Sequence, residues 1–399
     1  MSDQSKQSGT NLGRRTFLMG LSAAAVSSSQ ASFGGPGAEK KIRIGVVGGG
    51  FGCSFYWHEH PNCTVGAVSD LRADRRDRLV NAYHCDTVYE SLEKLILDKS
   101  LDAVAVFTGA PDHVRHCVAV MNSGKHVISA VPAAMSLEEC QTLIDTKEKT
   151  GKTYMMAETS YYRQESITAR EWVKEGKFGK IFYIETEYHH DLTNDGPRLL
   201  FYNDERTWRY GFAPMHYPTH SLAFVTGITG ERLTEVMCIG DEAKDDPIYQ
   251  DNVYNNPFCN STAFYKTDRG NAVRHSEFRN VAAGICERAQ WYGDKMSFFM
   301  PTPNGTPATI CHIGKKPEPY DQPMHWQADL LPEAMRHDSG HGGSHTFLTN
   351  EFISALVENR KPTVDVYEAV AYTAPGIVAH QSALKGGERL TIPDYGRGA

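Results

Sequence analysis

The 399-residue sequence predicts an α/β protein in two parts. A doubly wound parallel sheet comes first, then a second α/β domain with a large open, mainly antiparallel sheet. Three observations predict this. The run Lys41–Val47 is a short β-branched strand that ends in the glycine-rich stretch Gly48–Gly52. Short apolar runs then alternate with amphipathic stretches to about residue 130, as parallel strands and their crossover helices do. From Tyr154 the texture changes to longer β-rich segments separated by Gly, Asn and Asp.

The first residues are different in kind. Arg14-Arg15-Thr16-Phe17-Leu18 is followed by the Ala-rich run Leu21–Val26 and by small residues ending at Ala31. A charged segment, a short apolar run and a small-x-Ala end form the pattern of a twin-arginine signal over residues 1–31. About ten apolar positions are too few for a lasting membrane span. The expectation is a periplasmic or exported protein that leaves the cytoplasm folded, with no membrane attachment after signal removal. Phe33–Gly37 reads as a flexible spacer. The nine cysteines contain no C-x-x-C pair, so no disulfide framework can be drawn.

Residues 32–153 are expected to form the first domain. Gly48 suits the tight turn after the strand, and Gly50 allows a pyrophosphate to approach the backbone at the next helix N-terminus. Phe51 and Gly52 complete the loop, with Cys53 where the third glycine of the usual pattern stands. Asp70 closes the next apolar run twenty residues after Gly50, where a carboxylate accepts from an adenosine ribose. Together these predict NAD, with Arg72 leaving NADP open, and the export pattern with the absence of a lysine near Pro132 suggests that it is tightly bound. Val88–Leu97 reads as a helix and Leu101–Phe107 as a buried strand. The turn holding Thr108, Pro111 and His113 follows at the carboxyl end of the sheet, where ligands sit in such folds. A helix over His113–Met121, a strand over Lys125–Ala130 ending at Val131-Pro132, and a Ser136/Glu139 capping box complete this part.

Residues 154–399 are expected to form the second domain. Residues 181–190, 234–240, 260–266 and 270–282 read as strands, and Thr346–Val357 and Val366–His380 as amphipathic helices that return to the first domain. A net charge of −7 argues against a nucleic-acid partner. Nineteen Tyr, seventeen Phe and seventeen His point softly to carbohydrate. His216 and His220, four residues apart, would share a helix face and with Glu158 or His190 could hold a divalent metal. Pro218 between them weighs against this, and no metal is the main reading.

The glycine loop, Asp70, Pro111-Asp112-His113, Asn122–Val127, the Pro132-terminated strand, Lys177–Ile181 and Gly386–Pro393 together resemble the Gfo/Idh/MocA family of NAD(P)-dependent oxidoreductases. The resemblance implies a Rossmann domain, a second domain whose open sheet faces the nicotinamide, and a homo-oligomer. The family's usual Glu-Lys-Pro is here Ala130-Val131-Pro132, so its acid and its lysine are both missing. Narrower segments are similar to the NAD-dependent α-N-acetylgalactosaminidases of glycoside hydrolase family 109. These are Met155–Tyr162, Tyr188 with His190, Tyr217–His220 and Gly340–Gly343.

That resemblance implies transient oxidation of a sugar at C3, elimination of the C1 substituent and addition of water, with NAD recycled. His220 is then expected to take the C3 hydroxyl proton. Tyr188 or Tyr217 would act at C2–H or on the leaving oxygen if a neighbouring His lowers its pKa, and Glu158 and His190 would complete the catalytic set. His216, His341 and His345 would line the substrate mouth. A net sugar or polyol dehydrogenase is the alternative, and a non-catalytic cofactor-binding protein a second one.

Overall fold

The computed structural model describes residues 41–192, 196–282 and 284–398. The export pattern and the spacer lie outside these residues. The first sheet has six parallel strands: β1 (Ile42–Val47), β2 (Cys63–Ser69), β3 (Val88–Tyr89), β4 (Ala103–Val106), β5 (His126–Ser129) and β6 (Tyr154–Met156). They lie in the order β3-β2-β1-β4-β5-β6. The order reverses between β1 and β4, which opens a crevice at their carboxyl ends. β1, β4 and β5 are buried along nearly their whole length, as a sheet covered on both faces requires.

Helices α1 (Ala73–Tyr83), α2 (Leu92–Leu95), α3 (His113–Asn122) and α4 (Leu137–Thr150) connect these strands. Two expectations need correction. The helix read over Val88–Leu97 is strand β3 followed by one turn, because Val88 and Tyr89 pair with Val68 and Ser69 of β2. Ser91 then caps the turn by accepting from the Lys94 amide. The glycine loop leads into no α-helix either: two 3-10 turns, Gly52–Ser54 and Trp57–Glu59, replace it. The capping box is present in part. Ser136 accepts from the Glu139 amide, while the Glu139 carboxylate reaches back to the Met135 amide, one residue early.

After α5 (Gln164–Lys174) comes a nine-stranded sheet. Its first strand is β7 (Ile181–His189), followed in sequence by the short helix α6 (Gly196–Leu200), the hairpin β8–β9 (Phe201–Tyr202, Glu205–Arg206) and α7 (Thr219–Thr229). Strands β10 (Leu233–Glu242), β11 (Phe258–Thr267) and β12 (Ala272–Phe278) match the β-rich segments, with α8 (Pro247–Gln250) between β10 and β11. Strands β13 (Cys286–Gly293), β14 (Met296–Phe299), β15 (Thr309–His312) and β16 (Glu318–Pro319) were not among those expected. With β17 (Leu390–Thr391) the order is β16-β15-β14-β13-β7-β12-β11-β10-β17. Every pairing is antiparallel except β7 with β12.

One face of this sheet packs on α7. Along β7 the inward side chains are Ile184, Thr186 and Tyr188, alternating with half-buried Glu185 and Glu187. The outward carboxylates pair with Arg274 and Arg288, so the open face is a ladder of charges. Helix α7 is buried nearly all round, with Leu222–Val225 in the core and Thr219, His220 and Ser221 buried on its first turn. Phe224, fully buried in it, also accepts through its carbonyl from the Trp291 indole of β13 at 2.8 Å. Truncating Phe224 to Ala would cost about 3–5 kcal/mol.

The last helices, α9 (Ser344–Val357) and α10 (Val366–Leu384), pack back on earlier elements. In α10, a methyl at Gly376 would lie 2.2 Å from the Met215 carbonyl oxygen and 2.4 Å from Pro218. Only glycine lets that backbone come so close, and the segment it seats carries Tyr217 and His220. Among the described residues no helix is long and apolar enough to cross a membrane.

Candidate active site

The crevice between β1 and β4 is shaped by backbone. Gly48 has φ +104°, and a methyl there would lie 2.1 Å from the Phe107 carbonyl oxygen. Gly50 is exposed, and a methyl there would meet nothing nearer than the Arg75 guanidinium at 3.6 Å. Asp70 is buried; its Oδ2 accepts from the Gly49 amide and its Oδ1 from the Arg72 amide, both at 2.8 Å. The carboxylate thus fixes the loop and keeps lone pairs for a ribose. Arg72 is paired with Asp74 and lies over the Tyr202 ring, which draws it away from a 2′-phosphate. An open backbone cradle, a cation beside it and an oriented carboxylate fit a dinucleotide.

Other residues expected to bind the cofactor are placed as supports. Thr108 bonds through its hydroxyl to His116 Nδ1 at 2.9 Å. The His113 ring lies between the carbonyls of Pro132 (2.7 Å) and Thr108 (3.1 Å), bracing the ends of β4 and β5 together. Its burial pushes its pKa down, so the ring is neutral and donates to one of these carbonyls. Pro111 is exposed on the turn before α3, and Gly52 packs on the Phe107 ring.

Beyond the end of β6, Glu158 caps the 3-10 turn Thr159–Tyr162 by accepting from the Ser160 amide. The same oxygen lies 2.7 Å from His220 Nδ1, on the first turn of α7. Its other oxygen, Oε2, is buried without a hydrogen-bond partner in the described protein. Burial alone would lower the His220 pKa; the Glu158 carboxylate, with Glu287 and Glu277 beyond, outweighs it and raises it. Nδ1–H therefore points to Glu158 and leaves Nε2 as the proton acceptor.

Sheet register sets the floor beneath this pair. Tyr188 stands directly opposite Glu277 of β12 and Glu287 of β13, giving one inward row across three strands. Glu287 binds Arg163 through both oxygens and accepts from the Ser160 hydroxyl, which also lies 3.2 Å from His220 Nδ1. Burial raises the Glu287 pKa, but Arg163 more than offsets it and holds the carboxyl below the usual range. Glu277 accepts from Ser221 at 3.0 Å and meets His275 at 2.8 Å, and burial pushes its carboxyl well up.

Tyr188 and Tyr217 flank His220, with ring centroids 4.8 and 5.3 Å away. The expectation that a histidine lowers the Tyr188 pKa is overturned: burial raises it. Its hydroxyl lies 3.1 Å from His190 Nδ1, and burial with nearby Arg279 and Arg209 pushes His190 down to about 3. Tyr188 is thus a proton donor set against a neutral imidazole.

The three histidines expected at the substrate mouth make no hydrogen bond to this cluster among the described residues, though His341 lies close enough to feel the charges of Glu287, His220 and Arg163. His216 ends the 3-10 turn Pro214–His216, and its ring meets His380 of α10 at 4.6 Å, away from His220. Pro218 separates the two histidines onto different elements, and among the described residues no group of three or more His, Cys, Asp or Glu is placed to hold a metal. His345 Nδ1 donates to the Ser54 carbonyl at 2.8 Å, and His341 Nδ1, on an exposed residue, meets His345 Nε2 at 2.8 Å. Both rings stand edge-on to Phe51, so they brace the glycine loop. Sequence reasoning missed Ser160, Arg163, Arg209, Glu277, Arg279 and Glu287. One signal was present: His275, Glu277 and Arg279 recur with period two at the end of a predicted strand and so share its inward face.

Comparison with known proteins agrees with both halves. Residues 42–158 match the oxidoreductase family with an NAD-binding Rossmann fold, Gfo/Idh/MocA, and residues 293–399 match the C-terminal domain of glycosyl hydrolase 109. A glycosyl hydrolase family 109 protein of Streptomyces coelicolor is 24% identical over 91% of this chain and 84% of its own length. A second, from Solibacter usitatus, is 26% identical over 98% of each chain. Among solved structures, levoglucosan dehydrogenase in complex with NADH and L-sorbose superposes with a TM-score of 0.75 at 14% identity, over 89% of this chain and all of that one. The chain therefore carries an NAD-binding Rossmann domain of the Gfo/Idh/MocA oxidoreductase family joined to a C-terminal domain of the glycosyl hydrolase 109 kind, and it is an enzyme.

Proposed function

We propose that this enzyme cleaves a glycoside by oxidising the sugar transiently at C3, eliminating the C1 substituent and adding water. NAD bound at the glycine loop would supply the hydride acceptor and return the hydride at the end of each cycle. The observation that carries this reading is the buried Glu158–His220 pair facing Tyr188, with Ala130 and Val131 where a lysine would serve a plain dehydrogenase.

His220 Nε2 takes the proton of the C3 hydroxyl, and Glu158 stabilises the imidazolium that forms. The free Oε2 of Glu158 accepts a second sugar hydroxyl. Tyr188, protonated, gives its proton to the leaving oxygen, and His190 orients it. Tyr217, edge-on to His220, is left for C2–H. The names of the relatives support a glycosidase over a net sugar dehydrogenase. The Arg14-Arg15 segment supports export, and a cofactor restored at each turnover suits a compartment poor in free NAD.

The test uses the mature protein. Denaturation should release NAD or NADH, and turnover of aryl glycosides in D₂O should place deuterium at C2 of the freed sugar without net NADH. Release of the aglycone without deuterium at C2, or a protein that binds no nucleotide, would sink the reading.

A further inference from the structure

We propose that the sugar bound here carries an anionic group, a carboxylate or a sulfate ester, held by the guanidinium groups of Arg209 and Arg279. The inference rests on the carbohydrate reading above and names its substrate class.

Arg279 follows β12 and is 3% exposed. Its Nη1 is buried with no hydrogen-bond partner in the described protein. The guanidinium lies 5.3 Å from the ring centroids of both Tyr188 and Tyr217, so it faces the proposed sugar site. Its Nη2 makes a long contact of 3.7 Å with Glu277, which already serves Ser221 and His275.

Arg209 approaches the same ring from the segment after β9, lying over Trp208 at 4.3 Å and 5.6 Å from the Tyr217 centroid. Its side chain has no ion pair among the described residues. Both cations lie close enough to His190 to depress its pKa. A buried cation without an anion is costly, and this chain elsewhere avoids that cost. Arg163 is matched by Glu287, Arg288 by Glu187 and Arg232 by Glu368. With 48 acidic against 41 basic side chains, acids are not scarce. Two guanidiniums left facing a sugar site are what a planar carboxylate or a sulfate would complete.

The experiment measures binding by calorimetry to the full-length protein with its resident nucleotide. The probes are methyl glycosides, their 6-sulfates and the matching methyl glycosiduronates in the gluco, galacto and manno configurations. In one configuration at least, an anionic glycoside should bind about ten-fold tighter than its neutral partner, and that preference should shrink as salt rises. Whether the uronate or the sulfate wins identifies the group. Arg209→Gln and Arg279→Gln should each reduce the preference to about two-fold or less while neutral glycosides bind as before. Arg209 is half-buried, so its variant stands even if the Arg279 variant does not fold.

No anionic preference in any configuration, no binding at all, or a preference that survives Arg209→Gln would overturn the assignment. So would equal losses on neutral and anionic glycosides, which would make the arginines supports for Tyr217. The deuterium test is independent of these results. Anionic preference without exchange at C2 keeps this assignment and removes the cleavage mechanism; exchange on neutral glycosides without preference does the reverse.

Discussion

The two halves of the site are built from different materials. Around Gly48–Gly52 the geometry is set by backbone: glycines where no side chain fits, and one carboxylate, Asp70, accepting two amides. Around His220 it is set by side chains drawn from far apart in the chain. Glu158 lies 62 residues from His220, and Ser160 lies 127 from Glu287. A dinucleotide binds the same way in many proteins, so a rigid local loop suffices. A substrate must be told from its neighbours, which takes a buried network whose charges hold one another.

Substitutions can break each half in its own currency. The largest effect is expected from Glu158→Gln, which removes the charge that holds the His220 imidazolium. Turnover should fall on the order of 10³-fold. Because Glu158 raises the His220 pKa, and the neutral ring is the base, the acid limb of the pH–rate profile should move to lower pH in the variant. Unchanged rates or an unmoved limb would exclude His220 as the base.

On the other side, Gly48→Ala forces a methyl toward the Phe107 carbonyl at φ +104°. Denaturant unfolding without added nucleotide should show a loss of about 4 kcal/mol, the sum of backbone strain and overpacking. Nucleotide should no longer co-purify.

Glu287→Gln breaks the Arg163 pair, in which Glu287 is 5% and Arg163 22% exposed. A loss of about 3 kcal/mol is expected, at the low end for a broken buried pair because Arg163 reaches solvent. The folded carboxyl is held below its unfolded pKa. Its contribution is therefore present above the ordinary carboxylate range and lost as pH falls through and below it. Stability should decline less steeply with acid in the variant. The smallest effect belongs to Arg72→Ala, whose surface pair with Asp74 is screened by solvent, so unfolding stability should barely change. If NADP affinity rose in that variant, the account of Arg72 as engaged elsewhere would be wrong.

The same contrast explains what the sequence disclosed. Gly48, Gly50 and Asp70 are legible because strand, turn and carboxylate are local and regularly spaced. The missing α-helix after Gly52 was not legible, since Phe51 and Phe55, which flank the first 3-10 turn, pack against Phe107 and His345, and Trp57 stacks on Phe55. His220, Tyr188 and Glu158 could be named through a family resemblance, but not their arrangement. Tyr188 meets Glu277 and Glu287 only through the register of strands about a hundred residues apart, and β13 gave no alternation to find it by. His341 and His345 read as substrate contacts because histidine among glycines suggests a flexible mouth. Their partners, Phe51 and Ser54, lie some 290 residues earlier.

That distance has a consequence for how the protein is made. The glycine loop rests on His345 and Thr349 of α9, through the carbonyls of Ser54 and Phe55. A ribosome releases the loop early and its brace near the end of synthesis. The nucleotide site of a nascent chain therefore stays unbraced until almost the whole protein has emerged, and chains truncated before α9 should not retain the cofactor however well their first sheet forms.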